Sequence, residues 1–231
     1  MNLQTPTPPD RPLVALRLPT RMPVLDALER QWASGRAVLP VTADLPMPAL
    51  DRLLAALRPY AVVDAEGETR LPDGVGVAGD VDVVIATSGS TGAPKGVELT
   101  RAALEASAAA SLRRIGVEPD DRWLCCLPVT HVAGLQVLLR ARLLGTEPVV
   151  HPRFEVDDVA ATDATHVSLV PTQLRRLLDA GVDLARFRCI LLGGSGAAPA
   201  LLERATAGGA RVVTTYGMTE TCGGCVYDGL P

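Results

Sequence analysis

The chain has 231 residues, of which 48% are hydrophobic and 21% charged, and a formal net charge of −4. This composition can fill the core of one large or two small globular domains, and without an excess of Lys and Arg it argues against a nucleic-acid-binding surface. No uncharged apolar run reaches the roughly 18 residues that span a bilayer, and the five cysteines lack disulfide-scaffold spacing. We therefore expect a cytoplasmic protein.

Short β-rich runs alternate with helical patterns along the chain, which is typical of βαβ units and predicts an α/β fold with mostly parallel sheets. The predicted strands are 37–41, 60–64, 81–86, 122–127, 148–151, 166–170, 188–192 and 210–215. The predicted helices are 24–33, 49–57, 101–115, 131–144, 172–180 and a last one that starts at Pro199.

A polar, glycine-rich loop directly follows the predicted strand 81–86. It reads Thr87-Ser88-Gly89-Ser90-Thr91-Gly92-Ala93-Pro94-Lys95-Gly96-Val97. Glycines allow backbone N–H groups to approach an anion, the hydroxyls donate further hydrogen bonds, and the lysine supplies a positive charge. The pattern therefore predicts phosphate binding by Thr87, Ser88, Gly89, Ser90, Thr91, Gly92 and Lys95.

This loop differs from a Walker A loop, which has Gly directly before its Lys and Ser or Thr directly after it. Here these positions hold Pro94 and Gly96. The other interpretation is a flexible Ser/Gly surface linker, but such linkers do not normally carry a single lysine behind a buried strand. The loop is better interpreted as a phosphate-binding loop of another kind.

A second motif follows the predicted strand 210–215 and reads Tyr216-Gly217-Met218-Thr219-Glu220-Thr221. An aromatic face can stack on a base, a hydroxyl can donate to a phosphoryl oxygen, and a carboxylate is a hard oxygen ligand for a hard cation. Alone, such a hexapeptide also fits an ordinary turn at a strand end. Its co-occurrence with the first loop gives it weight.

Between these motifs, the strand 188–192 runs into Gly193-Gly194-Ser195-Gly196-Ala197. This run is close to the G-x-S-x-G elbow of α/β-hydrolases, in which the catalytic acid and histidine come later in the chain. All three histidines, His131, His151 and His166, precede Ser195. A hydrolase would therefore need an unusual triad order.

Two further patterns resemble known sites only superficially. The run Gly74-Val75-Gly76-Val77-Ala78-Gly79 spells G-x-G-x-x-G, but it does not follow a strand and open a helix, so we predict a loop. Cys222 and Cys225 form a C-x-x-C pair, but the other cysteines lie in apolar strand-like runs, which argues against a four-ligand zinc site.

His131 stands at a predicted helix start, just after a strand, which is where open α/β sheets place ligands. It is therefore either a ligand-facing residue or a histidine bonded to backbone at the helix start. We interpret His151 and His166 as structural.

With their flanks, the loop 87–97 and the Tyr216–Thr221 motif resemble the signature motifs of the adenylate-forming enzymes, a family of acyl-CoA synthetases, luciferases and peptide-synthetase adenylation domains. The resemblance implies the N-terminal part of the adenylate-forming enzyme fold, with ATP, Mg²⁺ and CoA as cofactor and co-substrates. It assigns Tyr216 and Gly217 to adenine, Thr219 to the α-phosphate, Glu220 to magnesium, and Gly193, Gly194 and Ser195 to the wall of the adenine pocket. His131 would line the acyl pocket, and Lys95, His131, Thr219 and Glu220 would form the catalytic set.

Within this family, the runs 127–135, 166–174 and 219–224 most resemble the 2-succinylbenzoate-CoA ligases of menaquinone synthesis. That substrate carries a second carboxylate, so the acyl pocket should offer a cation or several hydrogen-bond donors. The sequence does not decide between them, although Arg140 and Arg142 are available nearby. Two alternatives stay open: a ligase or adenylation domain for another acid, and a non-catalytic nucleotide-binding remnant.

The resemblance extends from about residue 82 to the end of the chain. We expect 1–80 to form an N-terminal α/β segment of the large domain and 81–231 to form its nucleotide- and acid-binding core. The family continues into a small barrel, a ribose-binding aspartate and a C-terminal lid with a catalytic lysine. We therefore expect a fragment without the lid, inactive alone. The sequence leaves open whether the protein forms a homo-oligomer.

Overall fold

The structure is a computed structural model, and it describes residues 11–18, 24–88 and 92–230. The chain divides into two compact units, Met1–Arg101 and Ala102–Pro231. Each unit contains a six-stranded sheet, and most neighbouring strands in both sheets run parallel. The α/β class with mostly parallel sheets is therefore confirmed.

The first unit combines a sheet of order β4-β3-β1-β2-β5-β6 with two helices. The strands are β1 Leu13–Leu18, β2 Ala37–Thr42, β3 Ala61–Asp64, β4 Gly67–Arg70, β5 Val81–Ser88 and β6 Pro94–Thr100, and the helices are α1 Val24–Ala33 and α2 Met47–Leu57. The inner strands are parallel, whereas β4 and β6 pair antiparallel with their neighbours at the two edges.

The core of this unit explains why its strands read as continuous apolar runs. Residues 37–41 of β2 are all buried, as expected for a central parallel strand covered on both faces. Helix α1 buries Ala27, Leu28 and Trp32 at helical spacing.

A buried aspartate fixes the beginning of β5, the strand that leads to the glycine-rich loop. The indole N–H of Trp32 donates to the Asp82 carbonyl at 2.9 Å. The Asp82 carboxylate accepts a hydrogen bond from Arg101 Nε at 2.7 Å and pairs with Arg11 as well. Because this carboxylate is 5% exposed and has two guanidinium partners, its burial is compensated.

The second unit contains a sheet of order β12-β11-β10-β9-β7-β8, in which only the β11–β12 pair is antiparallel among the described strands. The strands are β7 Trp123–Cys125, β8 Val149–Val150, β9 His166–Leu169, β10 Cys189–Leu192, β11 Val212–Met218 and β12 Gly223–Tyr227. The helices that precede or connect them are α3 Arg101–Ile115, α4 Val132–Leu144, α5 Val156–Ala161, α6 Pro171–Asp179 and α7 Pro199–Ala207.

The parallel arrangement of this sheet decides where a ligand can bind. Because β7, β9, β10 and β11 are parallel neighbours, their carboxyl ends lie at one edge of the sheet. Ligands of open α/β sheets bind outside that edge. A core of buried apolar side chains packs against the strands of this sheet, and Phe187 and Ile190 are among its fully buried members.

Several predicted elements match the structure and others do not. Helices α1 and α3 have the predicted bounds, and α3 ends before Gly116, whose φ is +69°. Strands β1, β4, β6 and β12 and the short helix α5 were not predicted. The predicted strand 210–215 is corrected to Val212–Met218, so Tyr216 and Gly217 lie on β11 and not after it. Antiparallel pairing with β12 extends the strand.

The Gly74–Gly79 run is a loop, as predicted, with one isolated bridge from Gly76 to Pro12. None of the helices within the described ranges has the length and apolar composition that crossing a membrane requires.

Candidate functional site

In the first unit, the described residues of the glycine-rich loop lie at the end of β5 and at the beginning of β6, which pair antiparallel. Thr87 is paired with Lys95 and Ser88 with Pro94, and among the described residues these are the last pairs of the ladder. The Thr87 hydroxyl is 3.4 Å from the Lys95 carbonyl oxygen, which it can reach as a donor. Gly89, Ser90 and Thr91, which the sequence assigns to phosphate, lie outside the described residues.

Lys95 is the second residue of β6 and is exposed. No carboxylate in the described part of the chain forms an ion pair with it. The next residue, Gly96, packs so closely that a Cβ there would lie 2.7 Å from Val84 Cγ1. Close packing of β6 against β5 thus fixes the backbone at Lys95, while the ammonium group stays accessible to an anion.

In the second unit, three sequence-predicted segments lie at the carboxyl edge of the sheet. His131 follows β7, Ser195 follows β10, and the Thr219–Thr221 turn follows β11. These three strands belong to one parallel array in which β9 lies between β7 and β10. The topology therefore places the predicted adenine wall, the Tyr216 motif and the predicted acyl-pocket histidine at the same edge.

The turn after β10 packs directly against β11. A Cβ on Gly193 would lie 2.7 Å from Thr215 Cγ2, so only glycine fits without displacement. Gly194 has a φ of +84°, which favours glycine as well. Ser195 is exposed and precedes α7 by several residues, so it is not at the abrupt strand-to-helix turn of a hydrolase elbow.

The Tyr216 motif is the β11–β12 hairpin, with a register shift between Tyr216 and Gly217. The Tyr216 side chain is 62% exposed, so its ring face is free to stack. The Thr221 hydroxyl accepts a hydrogen bond from the Met218 N–H at 3.0 Å and donates one to the Gly223 carbonyl oxygen at 2.6 Å, which closes the turn. Thr221 is therefore a structural member of the motif.

We expect Gly217→Ala to disrupt this hairpin. An added Cβ would lie 1.9 Å from the Gly223 carbonyl oxygen and 2.7 Å from Gly224 Cα, and backbone atoms cannot move aside locally. Such overpacking costs about 1–3 kcal/mol, so the free energy of unfolding should fall by that amount in urea titration. Gly196→Ala is the matched control, because no heavy atom lies within 4 Å of its would-be Cβ. Equal stability of the two variants would contradict the packing described.

Thr219 and Glu220 project from the turn that joins β11 to β12. Glu220 is exposed, and neither side chain has a hydrogen bond or ion pair with the described residues. Mg²⁺ usually binds one or two carboxylates together with substrate phosphates and keeps several waters. A single available carboxylate such as that of Glu220 fits this mode of binding. The described ranges contain no group of three or more His, Cys, Asp and Glu side chains that could hold a metal ion by themselves.

His131 is the N-cap residue of α4 and is exposed. Its side chain forms no capping hydrogen bond, so it is not a histidine bonded to backbone at the helix start. Gly134 brings the first turn of α4 against the preceding loop, since a Cβ there would lie 2.4 Å from the Pro128 carbonyl oxygen. This close packing fixes the backbone from which the imidazole projects.

Arg140, on the same helix, is the most unusual charged residue of this unit. It is 4% exposed, and no carboxylate among the described residues pairs with it. Nε donates to Ser111 Oγ at 2.9 Å and Nη1 to Ser168 Oγ at 3.2 Å, while the guanidinium lies 4.7 Å from the Trp123 ring centroid. Burial lowers the pKa of Arg140 to about 10, which leaves it protonated near neutral pH.

The structure separates the two arginines that the sequence offered as cations for the acyl pocket. Arg142 Nη1 pairs with Glu105 Oε1 at 3.0 Å and is a third exposed, so its charge is already compensated. Arg140 instead carries a buried positive charge, to which the described residues offer hydroxyls and an aromatic face but no carboxylate. Buried charges are normally paired, so Arg140 is the better candidate for an anionic ligand.

The two histidines interpreted as structural differ in burial, since His151 is partly exposed and His166 is buried. His166 is 1% exposed, and its Nδ1 lies 3.0 Å from Thr165 Oγ1 and 3.5 Å from Asp121 Oδ1. Burial lowers the pKa of His166, which Asp121 opposes, so the imidazole is neutral near neutral pH. Cys222 is buried and Cys225 exposed, and both thiols are free.

Sequence comparison identifies the family and related ligases. The family model described as AMP-binding enzyme matches residues 76–231. A probable 2-succinylbenzoate–CoA ligase of Mycobacterium tuberculosis (strain ATCC 25618 / H37Rv) is 41% identical over 203 residues, which cover 81% of this chain and 52% of the relative. The chain thus spans about half the length of this curated relative.

Solved structures give the same picture. An O-succinylbenzoate coenzyme A synthetase from Bacillus subtilis in complex with ATP and magnesium ion matches with a TM-score of 0.80 and 28% identity, over 94% of this chain and 51% of that one. The same synthetase as a double mutant, bound with its product analogue OSB-NCoA, matches with a TM-score of 0.81 and 28% identity, over 94% and 50%.

Proposed function

Because this chain belongs to the AMP-binding enzyme family, we propose that the protein containing it activates a carboxylic acid with ATP and transfers the acyl group to CoA. In the first step a carboxylate oxygen bonds to the α-phosphorus of ATP while the bond to pyrophosphate breaks. In the second step the CoA thiol forms the thioester bond, loses its proton and releases AMP. The relatives described above are named for this chemistry with 2-succinylbenzoate.

The observation that supports this function best is a group of exposed or partly exposed side chains at the carboxyl edge of the second sheet, which have no side-chain hydrogen bond or ion pair with the described residues. Tyr216 offers a ring face for adenine, Thr219 a hydroxyl for the α-phosphate, and the turn at Gly193–Ser195 a wall close to β11. Residues 81–231 would thus carry the nucleotide- and acid-binding core. In the other unit, Lys95, Thr87 and Ser88 would hold the β- and γ-phosphates.

Magnesium would bind at Glu220, together with phosphate oxygens of the substrate. When bound, it neutralises charge on the phosphoryl groups. In the first step, Lys95 and the Thr219 hydroxyl would stabilise the negative charge that grows on the phosphate oxygens. His131, at the start of α4, would line the acyl pocket.

The acid in the proposal is 2-succinylbenzoate, and Arg140 supports this choice. The substrate has one carboxylate that reacts and one that does not, and the second needs a cation. Arg140 is buried, charged and without a carboxylate partner in the described part of the chain. Its partner Ser168 lies on β9, next to the carboxyl end of that strand, so the arginine and its hydroxyl partner lie near the edge at which ligands bind.

An acid panel tests both the reaction and the choice of acid. The full-length protein would be supplied with ATP, Mg²⁺ and CoA, and thioester formation would be measured with 2-succinylbenzoate, benzoate and medium-chain fatty acids. The proposal expects turnover with 2-succinylbenzoate and little with acids that lack a second carboxylate. Turnover with a fatty acid but not with 2-succinylbenzoate would support the proposed reaction and contradict the proposed acid.

We expect Arg140→Met to lower kcat/KM for 2-succinylbenzoate about ten- to a hundredfold, because a charge-assisted hydrogen bond contributes about 1.5–3 kcal/mol. The KM for ATP should stay near the parent value, since Arg140 is assigned to the acid. Methionine keeps an unbranched apolar side chain in the core but is shorter than arginine, so a thermal melt checks that the variant is folded. Arg142→Met, in which a partly exposed ion pair with Glu105 is lost, is the control and should behave like the parent. An unchanged kcat/KM in the Arg140 variant would remove this residue from the acid site.

A cytoplasmic location is also part of the proposal. All five cysteines are free thiols, and four of them are buried, which agrees with a reducing compartment. Measuring the distribution of the protein between cell fractions would test it.

A further inference from the structure

Two side chains converge on one backbone carbonyl at the end of the Thr219–Thr221 turn. Gln136 Nε2 donates to the Cys222 carbonyl oxygen at 2.7 Å, and Ser107 Oγ donates to the same oxygen at 3.1 Å. Gln136 lies on α4 and Ser107 on α3. Two helices thus hold the residue that directly follows the turn.

Gln136 is a polar side chain in an otherwise apolar part of the core. It is 1% exposed and stands in an apolar stretch of α4, between Leu135 and Val137. A second N–H of its amide donates to the Leu104 carbonyl on α3 at 3.1 Å, while Oε1 has no partner among the described atoms. Burying an amide with an unsatisfied oxygen costs free energy, so an apolar residue would serve packing alone better. The two donated bonds are what distinguishes glutamine here.

The other hydrogen bonds of the turn lie within the β11–β12 hairpin, as those of the Thr221 hydroxyl do. Cys222 has a φ of +57°, and its N–H donates to the Thr219 carbonyl at 3.0 Å. Residues 219–221 include no buried residue. Gly223 lies against the glutamine, since a Cβ there would be 3.2 Å from Gln136 Cγ. The carbonyl of Cys222 is therefore the point at which the turn is attached to the helices.

We propose that Gln136 is a positioning residue that holds the Thr219–Glu220 turn in place for the nucleotide and its metal ion, and that it couples this turn to α4, the helix that carries His131 and Arg140. The inference rests on the proposed function for the roles of Thr219 and Glu220. Gln136 itself contacts neither substrate nor metal; it acts through the Cys222 carbonyl. A change at this position should therefore alter magnesium dependence more than acid binding.

The test has two measurements on Gln136→Met, which keeps the side-chain length and removes both donors. In the full-length protein, adenylation is followed across a magnesium titration; we expect the half-maximal magnesium concentration to rise roughly fivefold, as for the loss of about one hydrogen bond, with the maximal rate near the parent value. In the 231-residue chain, hydrogen–deuterium exchange is measured on a peptide that covers the turn, and we expect faster exchange there.

Two further variants show whether the effect is specific. Ser107→Ala removes the second donor to the same carbonyl and should shift the magnesium midpoint in the same direction by a smaller factor. Thr146→Val removes a hydroxyl hydrogen bond of 3.2 Å to the Asp121 carbonyl, away from the turn, and should leave the midpoint unchanged. A merely destabilised protein would lose active fraction without a shift in the midpoint.

The outcomes separate this inference from the function it rests on. If the parent protein forms no adenylate, the proposed function fails and the catalytic part of the inference fails with it. If the parent is active but the midpoint and the exchange of the turn are unchanged in Gln136→Met and Ser107→Ala, the inference alone is overturned. A shifted midpoint together with faster exchange confined to the turn supports it.

Discussion

Glu220→Gln should lower the rate of adenylation about ten- to a hundredfold at a fixed, subsaturating magnesium concentration and raise the magnesium concentration needed for half-maximal rate. The amide keeps the shape of the side chain but loses the charge that a hard dication prefers. Because Glu220 is exposed and forms no hydrogen bond or ion pair with the described residues, its replacement removes no intramolecular contact. The melting temperature should therefore stay close to that of the parent.

The measurement is a magnesium titration of adenylation in the full-length protein, with thermal melts in parallel. Glu203→Gln makes the same change at another exposed glutamate, on α7, and should leave both readouts unchanged. If Glu220→Gln lowers the melting temperature and leaves the magnesium curve in place, Glu220 is a structural residue of the turn.

Lys95→Ala should slow adenylation about ten- to a hundredfold while the KM for the acid changes little, because one charge-assisted contact to phosphate contributes about 1.5–3 kcal/mol. Lys95 is the single lysine of the chain, in which Lys and Arg together number 22. A chain that uses arginine everywhere else keeps the compact, strongly hydrated ammonium at this position. Lys95→Arg should therefore recover only part of the lost rate.

The uniqueness of this lysine allows a second, independent measurement. An amine-acylating reagent applied to the 231-residue chain can modify only Lys95 and the N-terminal amine. We expect ATP to slow acylation of Lys95 and not of the terminus, as read by mass spectrometry of the two peptides. Equal protection of both amines, or none, would contradict the assignment of Lys95 to phosphate.

The sequence predicts local structure well where each residue supports the same element. Helix α3 is one such case, since its helical pattern is ended by Gly116, which adopts a positive φ. The edge strands β6 and β12 were missed, because β6 begins with Pro94 and β12 with two glycines, which are poor strand residues. Both form because an adjacent strand offers antiparallel partners.

The residues of the candidate site also divide into those that the sequence predicts and those that only the structure shows. The types and spacing of Lys95, Tyr216, Thr219 and Glu220 are visible in the sequence because their chemistry depends on a short motif. The distinction between Arg140 and Arg142 is not, because it depends on Ser111 and Ser168, which are distant in the chain. Gln136 was missed for a related reason. A lone amide within an apolar helix signals a buried polar contact, but its partner is defined only by the fold.

The central claim, that this chain belongs to a protein that forms an acyl-adenylate, is tested most directly by pyrophosphate exchange. The full-length protein is incubated with ATP, Mg²⁺ and labelled pyrophosphate without CoA, and incorporation of label into ATP is measured with and without 2-succinylbenzoate. We expect incorporation that depends on the acid and on magnesium and is lost in Lys95→Ala and Glu220→Gln. Incorporation that does not respond to any carboxylic acid, in a folded protein that binds ATP, would contradict it.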